Sequence, residues 1–203
     1  MRMLASTLVI VSCLSTALAQ AGQTSAPDVQ SLFLQLQNRS TSSEAAKKLT
    51  KVGGEDRTAR KYISEHLPPL ITTSGGEVKT NAIWLAGNLK IASALPALAA
   101  LLRHFSLVGQ TGLGVTARLD NDPAGKALVQ IGGPSVGAVA QVLEQGDSQA
   151  RWRAALVLMS IGTAAAVQAV RSHIPKEKDP HVRQFMESFF KGGAAHTAAS
   201  DRK

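Results

Sequence analysis

Cysteine and aromatic residues are both scarce in this chain. Its 203 residues include one cysteine, one tyrosine, two tryptophans and five phenylalanines. The single cysteine, Cys13, lies in an apolar N-terminal stretch that we expect to be removed, so the mature chain is predicted to contain no thiol. Disulfides, thiolate catalysis and zinc sites with cysteine ligands are then excluded together.

The N-terminal stretch is typical of a secretory signal peptide. Arg2 supplies positive charge, residues 4–18 are apolar with small hydroxyl side chains, and Ala17-Leu18-Ala19 provides a small-residue cleavage site. A membrane anchor is one alternative, although the apolar run is shorter than the roughly 20 residues that span a bilayer. A lipoprotein signal at Cys13 is another. We predict cleavage after Ala19 and an exported protein, periplasmic or secreted, with no transmembrane span in the mature chain.

Signals for β-structure are also missing. Valine and isoleucine occur singly instead of in alternating runs, whereas alanine is abundant and apolar residues recur at helical spacing. Small side chains let neighbouring helices approach each other closely. We therefore predict an all-α domain over residues 28–190, preceded by a flexible polar leader at 20–27 and followed by a disordered tail at 191–203.

Turn and capping residues divide this domain into helices. Aspartates that can cap a helix start, two of them followed by proline, stand at Asp28, Asp122-Pro123, Asp147 and Asp179-Pro180. Gly53-Gly54 is predicted to end a helix over 44–50, and Pro68 to bend or shorten the next helix, over 56–71. The glycine-rich residues 106–119 are predicted to form an inserted loop.

Short apolar runs closed by glycine recur along the chain. They are Leu85-Ala86-Gly87, Gln130-Ile131-Gly132 and Ser160-Ile161-Gly162, with a weaker copy at Lys51-Val52-Gly53. Their spacing of roughly 30 to 45 residues is the range in which stacked helix-turn-helix units repeat.

These segments resemble the HEAT-repeat family, particularly the short HEAT-like repeats of bacterial proteins. The likeness is carried by Trp84-Leu85-Ala86-Gly87-Asn88-Leu89 with Ala94-Leu95-Pro96-Ala97-Leu98, by Ala127-Leu128-Val129-Gln130-Ile131-Gly132, and by Asp147 to Gly162. The resemblance implies an α-solenoid of about four stacked helical hairpins, a HEAT-like superhelix. It also implies a non-catalytic scaffold that binds another protein along its successive second helices. Some proteins with similar repeats act on tetrapyrrole pigments, so a lyase or isomerase is the alternative.

Motifs that carry chemistry do not assemble in this sequence. Gly109 to Gly114 does not match the dinucleotide-binding fingerprint, and Asp120-Asn121-Asp122 lacks the further ligands of a calcium loop. No two of the five histidines have the i, i+4 spacing of a metal site. His104 and His173 are expected near helix C-termini, where positive charge is favourable. We predict no catalytic, cofactor-binding or metal-binding residue and no enzyme activity.

Tryptophans and basic residues are the remaining candidates for binding. Trp84 and Trp152 are predicted to pack inside their repeats instead of serving as exposed anchors. The net charge of +8 gathers in two clusters, Lys47, Lys48, Lys51, Arg57, Arg60 and Lys61, and Arg151, Arg153, Lys176, Lys178 and Arg183. Such clusters are usual on solvated helix faces that have no binding role. The alternative is that they attract the chain to anionic envelope material. The expected partner is an unidentified protein of the cell envelope or extracellular space, and not nucleic acid.

Overall fold

The computed structural model describes residues 28–104, 119 and 121–191. The predicted signal peptide and leader, the inserted loop apart from Leu119, and the predicted tail beyond Lys191 lie outside these residues. Within the described ranges the chain is helical and contains no strand, which confirms the all-α prediction. None of the described helices is long and apolar enough to cross a bilayer.

Ten α-helices and three short 3₁₀ turns make up the described residues. The helices are α1 Val29–Gln37, α2 Ser42–Glu55, α3 Arg57–Thr73, α4 Gly76–Asn88, α5 Leu95–His104, α6 Pro123–Ile131, α7 Val136–Gln145, α8 Ser148–Ile161, α9 Ala164–His173 and α10 Pro180–Lys191. The 3₁₀ turns Ala92–Ala94 and Gly133–Ser135 lead into α5 and α7, and Ile174–Lys176 follows α9.

The aspartates predicted to cap helices do so. A carboxylate oxygen of each accepts a backbone N–H from the first turn of its helix, at 3.1 Å for Asp28, 2.9 Å for Asp122, 2.8 Å for Asp147 and 2.9 Å for Asp179. Such a bond satisfies one of the N–H groups that a helix start leaves without a partner. Asp56, expected inside its helix, is instead the cap of α3, with Thr58 N–H donating at 2.7 Å.

Two predicted helix ends are wrong. Gly53 and Gly54 lie within α2, because close packing offsets the low helix propensity of glycine: a Cβ at Gly53 would lie 2.8 Å from a methyl carbon of Leu89. Pro68 and Pro69 lie within α3, which continues to Thr73. Proline at 68 cannot donate to the Ser64 carbonyl, and the Ser93 hydroxyl donates to that carbonyl instead, at 2.6 Å.

Helix contacts fall into two series. Each even-numbered helix from α2 to α10 contacts the next even-numbered helix, and each odd-numbered helix from α3 to α9 contacts the next odd-numbered one. Contacts of α3 with α4, α5 with α6 and α7 with α8 join the two series. One continuous cluster of buried apolar side chains, from Leu32 to Met186, lies between them.

The glycines that close the predicted repeating runs do not occupy equivalent positions in their helices. Gly132 and Gly162 follow α6 and α8 with φ of 76° and 68°, a backbone region that favours glycine. Gly87 lies inside α4, where it faces α6, and the residue with positive φ that ends α4 is Lys90. The predicted copy at Leu85-Ala86-Gly87 is therefore displaced by three residues.

Gly87 allows α4 and α6 to approach each other. A Cβ there would lie 2.2 Å from Gln130 Oε1 and 3.0 Å from Ala127 Cα. We expect Gly87→Ala to lower the free energy of unfolding by about 1–3 kcal/mol, because the backbone of α6 must move. Urea denaturation measures this change.

The matched control for Gly87→Ala is Gly54→Ala in α2. A Cβ at Gly54 meets nothing within 4 Å, so alanine there is expected to raise stability by roughly 0.5–1 kcal/mol. Equal effects of the two substitutions would contradict the close approach at Gly87.

Candidate functional surface

A buried carboxylate joins α8 to the segment between α9 and α10. Glu177 is 1 % exposed, and Arg151 on α8 donates to both of its carboxylate oxygens, each at 2.7 Å. The Asp179 N–H donates to the same carboxylate at 2.8 Å, and Arg183 on α10 donates to the Glu177 carbonyl at 3.0 Å. Glu177 therefore holds three parts of the C-terminal region together.

Burial alone would raise the pKa of Glu177, because a dry environment disfavours the charged form. The hydrogen bonds from Arg151 and from the Asp179 N–H, and the nearby positive charge, outweigh burial and lower this pKa to about 2. The carboxylate is then ionised at neutral pH, and both of its oxygens already have donors. A general base needs a pKa near the working pH, and the pKa of Glu177 lies far below neutral pH.

His173 lies beside this ion pair. Its ring nitrogens are 3.4 Å from a Glu144 oxygen and 3.4 Å from a Glu177 oxygen, without well-aligned hydrogen bonds. The expected position of His173 at a helix C-terminus is correct, since it ends α9. Its carboxylate neighbours were not predicted, although the i, i+4 spacing of His173 and Glu177 was a local signal for one of them. The side chain of His104 lies outside the described part.

A second buried ion pair joins α8 to α5 and α6. Arg153, 2 % exposed, donates to Asp122 Oδ2 at 2.6 and 3.1 Å and to the carbonyls of Leu101 and Leu102 at 3.2 and 2.7 Å. Asp122 also caps α6. Arg153 thus fixes the end of α5 to the start of α6.

Two residues of the second basic cluster predicted from the sequence are not on the surface. Arg153 is buried and Arg151 is mostly buried. Lys176, Lys178 and Arg183 are exposed, although Arg183 also donates to the Glu177 carbonyl. The sequence positions of Arg151 and Arg153 could not show that they face inward, because their partners, Glu177 and Asp122, come from other parts of the fold.

The first basic cluster is largely on the surface, as predicted. Lys47, Lys48 and Lys51 are exposed along α2, and Arg57 and Lys61 are exposed near the start of α3. Lys48 lies 3.8 Å from Glu44 and Lys61 lies 3.9 Å from Glu65, and ion pairs this exposed contribute little to stability. Arg60 is half-buried and donates to the Leu89 carbonyl at the end of α4.

Trp84 is exposed, which corrects the prediction that it packs inside its repeat. It is 41 % exposed and shares one side of α4 with the exposed residues Glu77, Thr80 and Asn88. Trp152 is half-buried and packs against Phe185, with ring centroids 4.7 Å apart, as predicted for a packed tryptophan. Among the residues that the structure describes, Leu34 and Trp84 are the exposed large apolar side chains.

Two contacts join α4 to α2 and to the residues just before it. Arg39 Nε, between α1 and α2, lies 3.4 Å from Glu77 Oε2, and Asn81 Nδ2 donates to the buried Ser42 hydroxyl at 2.7 Å. Residue numbers rise together along these contacts, so α2 and α4 run in the same direction. Trp84 lies on the same side of α4 as Glu77, and this side is exposed.

The second helices, where docking was predicted, carry different chemistry on their exposed side. In α5, α7 and α9 this side consists mainly of small, amide and charged residues: Ala100, Arg103, Gly137, Gln141, Glu144, Ala165 and Gln168. The two exposed large apolar side chains lie on α1 and α4. Docking along the second helices stays a prediction, and the exposed tryptophan is on the other series.

Over residues 28–104 and 121–191, no group of three or more histidine, cysteine, aspartate or glutamate side chains is arranged to hold a metal ion. No protein-family model, curated protein or solved structure matches this chain.

Proposed function

We propose that this chain is an exported, non-catalytic helical-repeat scaffold that binds another protein. In this proposal the pairs α2/α3, α4/α5, α6/α7 and α8/α9 are four stacked HEAT-like hairpins, and residues 1–19 direct export to the periplasm or beyond the cell. Two rows of alternating helix contacts around one continuous core support a stacked repeat, because stacked units bury a shared core. Among helices adjacent in the chain, the close contacts between the rows are those of α2 with α3, α3 with α4, α5 with α6, α7 with α8 and α8 with α9, so the pairs α4/α5 and α6/α7 are held chiefly through their neighbours.

Trp84 is the observation that carries the binding proposal. A tryptophan buries about 150–250 Å² when it is covered, and this one is held outward by a helix whose own apolar side is satisfied in the core. Tryptophans at the centre of interfaces are among the residues whose truncation weakens binding most. The docking surface is therefore the outer side of α4 together with the adjoining side of α2.

Trp84→Ala is expected to weaken partner binding by about thirtyfold while leaving the fold intact, because an interface anchor is lost without opening a core cavity. The mature protein and the variant would be used to capture partners from envelope extract, and affinity for the captured protein would be measured. Leu34→Ala, at the other exposed large apolar position, is the matched control and should bind like the unaltered chain. Equal loss in both variants, or none in Trp84→Ala, would refute this surface.

Electrostatic adhesion to anionic envelope material is the second candidate function. It is favoured by Lys47, Lys51 and Arg57, which are exposed and make no ion pair with any residue in the described ranges. Adhesion of this kind should weaken steeply as salt shortens the Debye length from about 10 to 3 Å. Capture at low and high salt separates the two candidates, since docking on Trp84 depends less on salt.

A further inference from the structure

His173 is buried between two carboxylates without a well-aligned hydrogen bond. It ends α9 with a side chain that is 5 % exposed, and neither ring nitrogen has a hydrogen-bond partner among the described residues. Nδ1 lies 3.4 Å from Glu144 Oε1 on α7, and Nε2 lies 3.4 Å from Glu177 Oε2. Buried polar groups in folded proteins are mostly hydrogen-bonded, so the protonation of this ring decides which of the two contacts is favourable.

Both carboxylates are ionised in the pH range in which histidine side chains change their charge. The pKa of Glu177 is lowered to about 2, and the His173 ring and Lys176 lower the pKa of Glu144. Histidine side chains gain or lose a proton between about pH 5 and 8, which lies above the pKa values of both carboxyls. Each ring nitrogen therefore faces a negatively charged oxygen throughout that range.

A neutral ring can satisfy only one of these oxygens. Neutral imidazole carries one N–H and one lone pair, whereas an ionised carboxylate only accepts. The Glu177 side chain has no exposed surface, whereas that of Glu144 is 48 % exposed and has access to water. The N–H of neutral His173 is consequently best placed on Nε2, which faces Glu177, and the Nδ1 lone pair then faces the Glu144 carboxylate and repels it.

Protonation adds an N–H at Nδ1 and turns the repulsive contact into an attractive one. The imidazolium ion can donate to Glu144 and Glu177 together, and it places a positive charge between two negative ones. The other charged groups near the ring or its carboxylates are Arg151 on α8, Lys176 on the 3₁₀ turn, and Asp179 and Arg183 at the start of α10. Lys176 is 63 % exposed and Arg151 is bonded to both oxygens of Glu177, so neither replaces an N–H at Nδ1.

We propose that protonation of His173 in mild acid closes a contact between α7 and α9 and stabilises the C-terminal end of the helix stack. As the pH rises and the ring loses its Nδ1 proton, the Glu144 carboxylate turns to solvent. A cationic group that gains anionic partners on folding adds stability where it is protonated, and this contribution is lost as the pH rises. The contribution of Glu177 has the opposite sign, since it is lost as the pH falls toward about 2.

The position of α9 makes this contact effective. α9 packs on α7, on α8 and on the 3₁₀ turn that follows it, and no further odd-numbered helix follows it in the described ranges. A helix with neighbours on one side opens locally at a lower free energy than a helix packed on both sides. Local opening of α9 should therefore depend on pH more than opening of α5, which the odd-numbered helices α3 and α7 contact from both sides.

Glu144→Gln tests the inference with little change of shape. An amide can accept from a protonated Nδ1 or donate to its lone pair, so the contact no longer depends on pH. By urea denaturation, the substitution is expected to raise the equilibrium constant of unfolding about fivefold near pH 5.5 and to change it less than about twofold near pH 8. Glu187→Gln, at a partly exposed carboxylate that pairs with Lys191 on α10, is the matched control and should have the same effect at both pH values.

Two further measurements separate the switch from a merely structural role of His173. NMR of the ring nitrogens should show protons on both nitrogens near pH 5.5 and on Nε2 alone near pH 8. In a His173→Phe background, Glu144→Gln should have no effect at either pH. An equal effect of Glu144→Gln at both pH values, an effect that persists in that background, or a proton on Nδ1 near pH 8 would each overturn the inference. None of these measurements involves Trp84, so the proposed docking function stands or falls separately.

Discussion

Arg153→Met is expected to lower the free energy of unfolding by about 3–5 kcal/mol, the cost of breaking a buried ion pair from one side. Methionine fills much of the arginine volume, so the loss comes from polar groups rather than from a cavity. Asp122 remains 8 % exposed with its charge uncompensated, and the carbonyls of Leu101 and Leu102 lose their donor. The melting temperature should fall by roughly 10 °C in thermal unfolding followed by circular dichroism.

Two further variants identify the cause of that loss. Arg103→Met removes an exposed arginine, one guanidinium nitrogen of which lies 3.5 Å from Gln145 Oε1. This substitution should change the free energy of unfolding by less than about 0.5 kcal/mol. Adding Asp122→Asn to Arg153→Met removes the buried charge and keeps a side chain that can cap α6, so part of the lost stability should return. A double variant as unstable as the sum of the single ones would show that the pair is not coupled.

The helix starts could be predicted from sequence because their cause is local. A carboxylate such as Asp147 caps an N–H three residues away, so the residue and its partner lie in the same short stretch. The helix ends at Gly53 and Pro68 could not be predicted, because the compensating contacts come from Leu89 and Ser93. Leu89 and Ser93 both lie between α4 and α5, beyond any local pattern.

The candidate surface was predicted less well than the fold for a related reason. Charge counting placed Lys47 and Arg151 in equivalent clusters, yet Lys47 is exposed and Arg151 is paired with the buried Glu177. Trp84 in α4 and Trp152 in α8 belong to the same even-numbered series, but among the described residues only Trp152 has an aromatic neighbour, Phe185, on the next even-numbered helix. Which side of a helix is covered depends on the neighbouring helices, and composition carries no information about those neighbours.

Glu177 is expected to make the free energy of unfolding fall in acid. The pKa of this carboxyl is lowered to about 2 in the folded chain, from a usual value near 4.5. A carboxyl with a lowered pKa contributes stability that is complete above its unfolded pKa and is lost as the pH falls toward its folded pKa. Glu177 should therefore contribute about 3 kcal/mol at neutral pH, lost between about pH 4.5 and 2.

Glu177→Gln is expected to lower the free energy of unfolding at pH 7 by about 3–5 kcal/mol, because Arg151 keeps a mostly buried charge without its carboxylate. Urea denaturation from pH 7 to 2 should show the difference between the two proteins shrinking as Glu177 of the unaltered chain becomes protonated. Glu187→Gln, which removes a partly exposed carboxylate paired with Lys191 at 3.1 Å on α10, should change stability by less than about 0.5 kcal/mol. If the free energies of unfolding of Glu177→Gln and of the unaltered chain stay parallel from pH 7 to 2, other carboxyls cause the acid sensitivity. Glu144 and Asp179, whose pKa values are also lowered, would then be the groups to substitute.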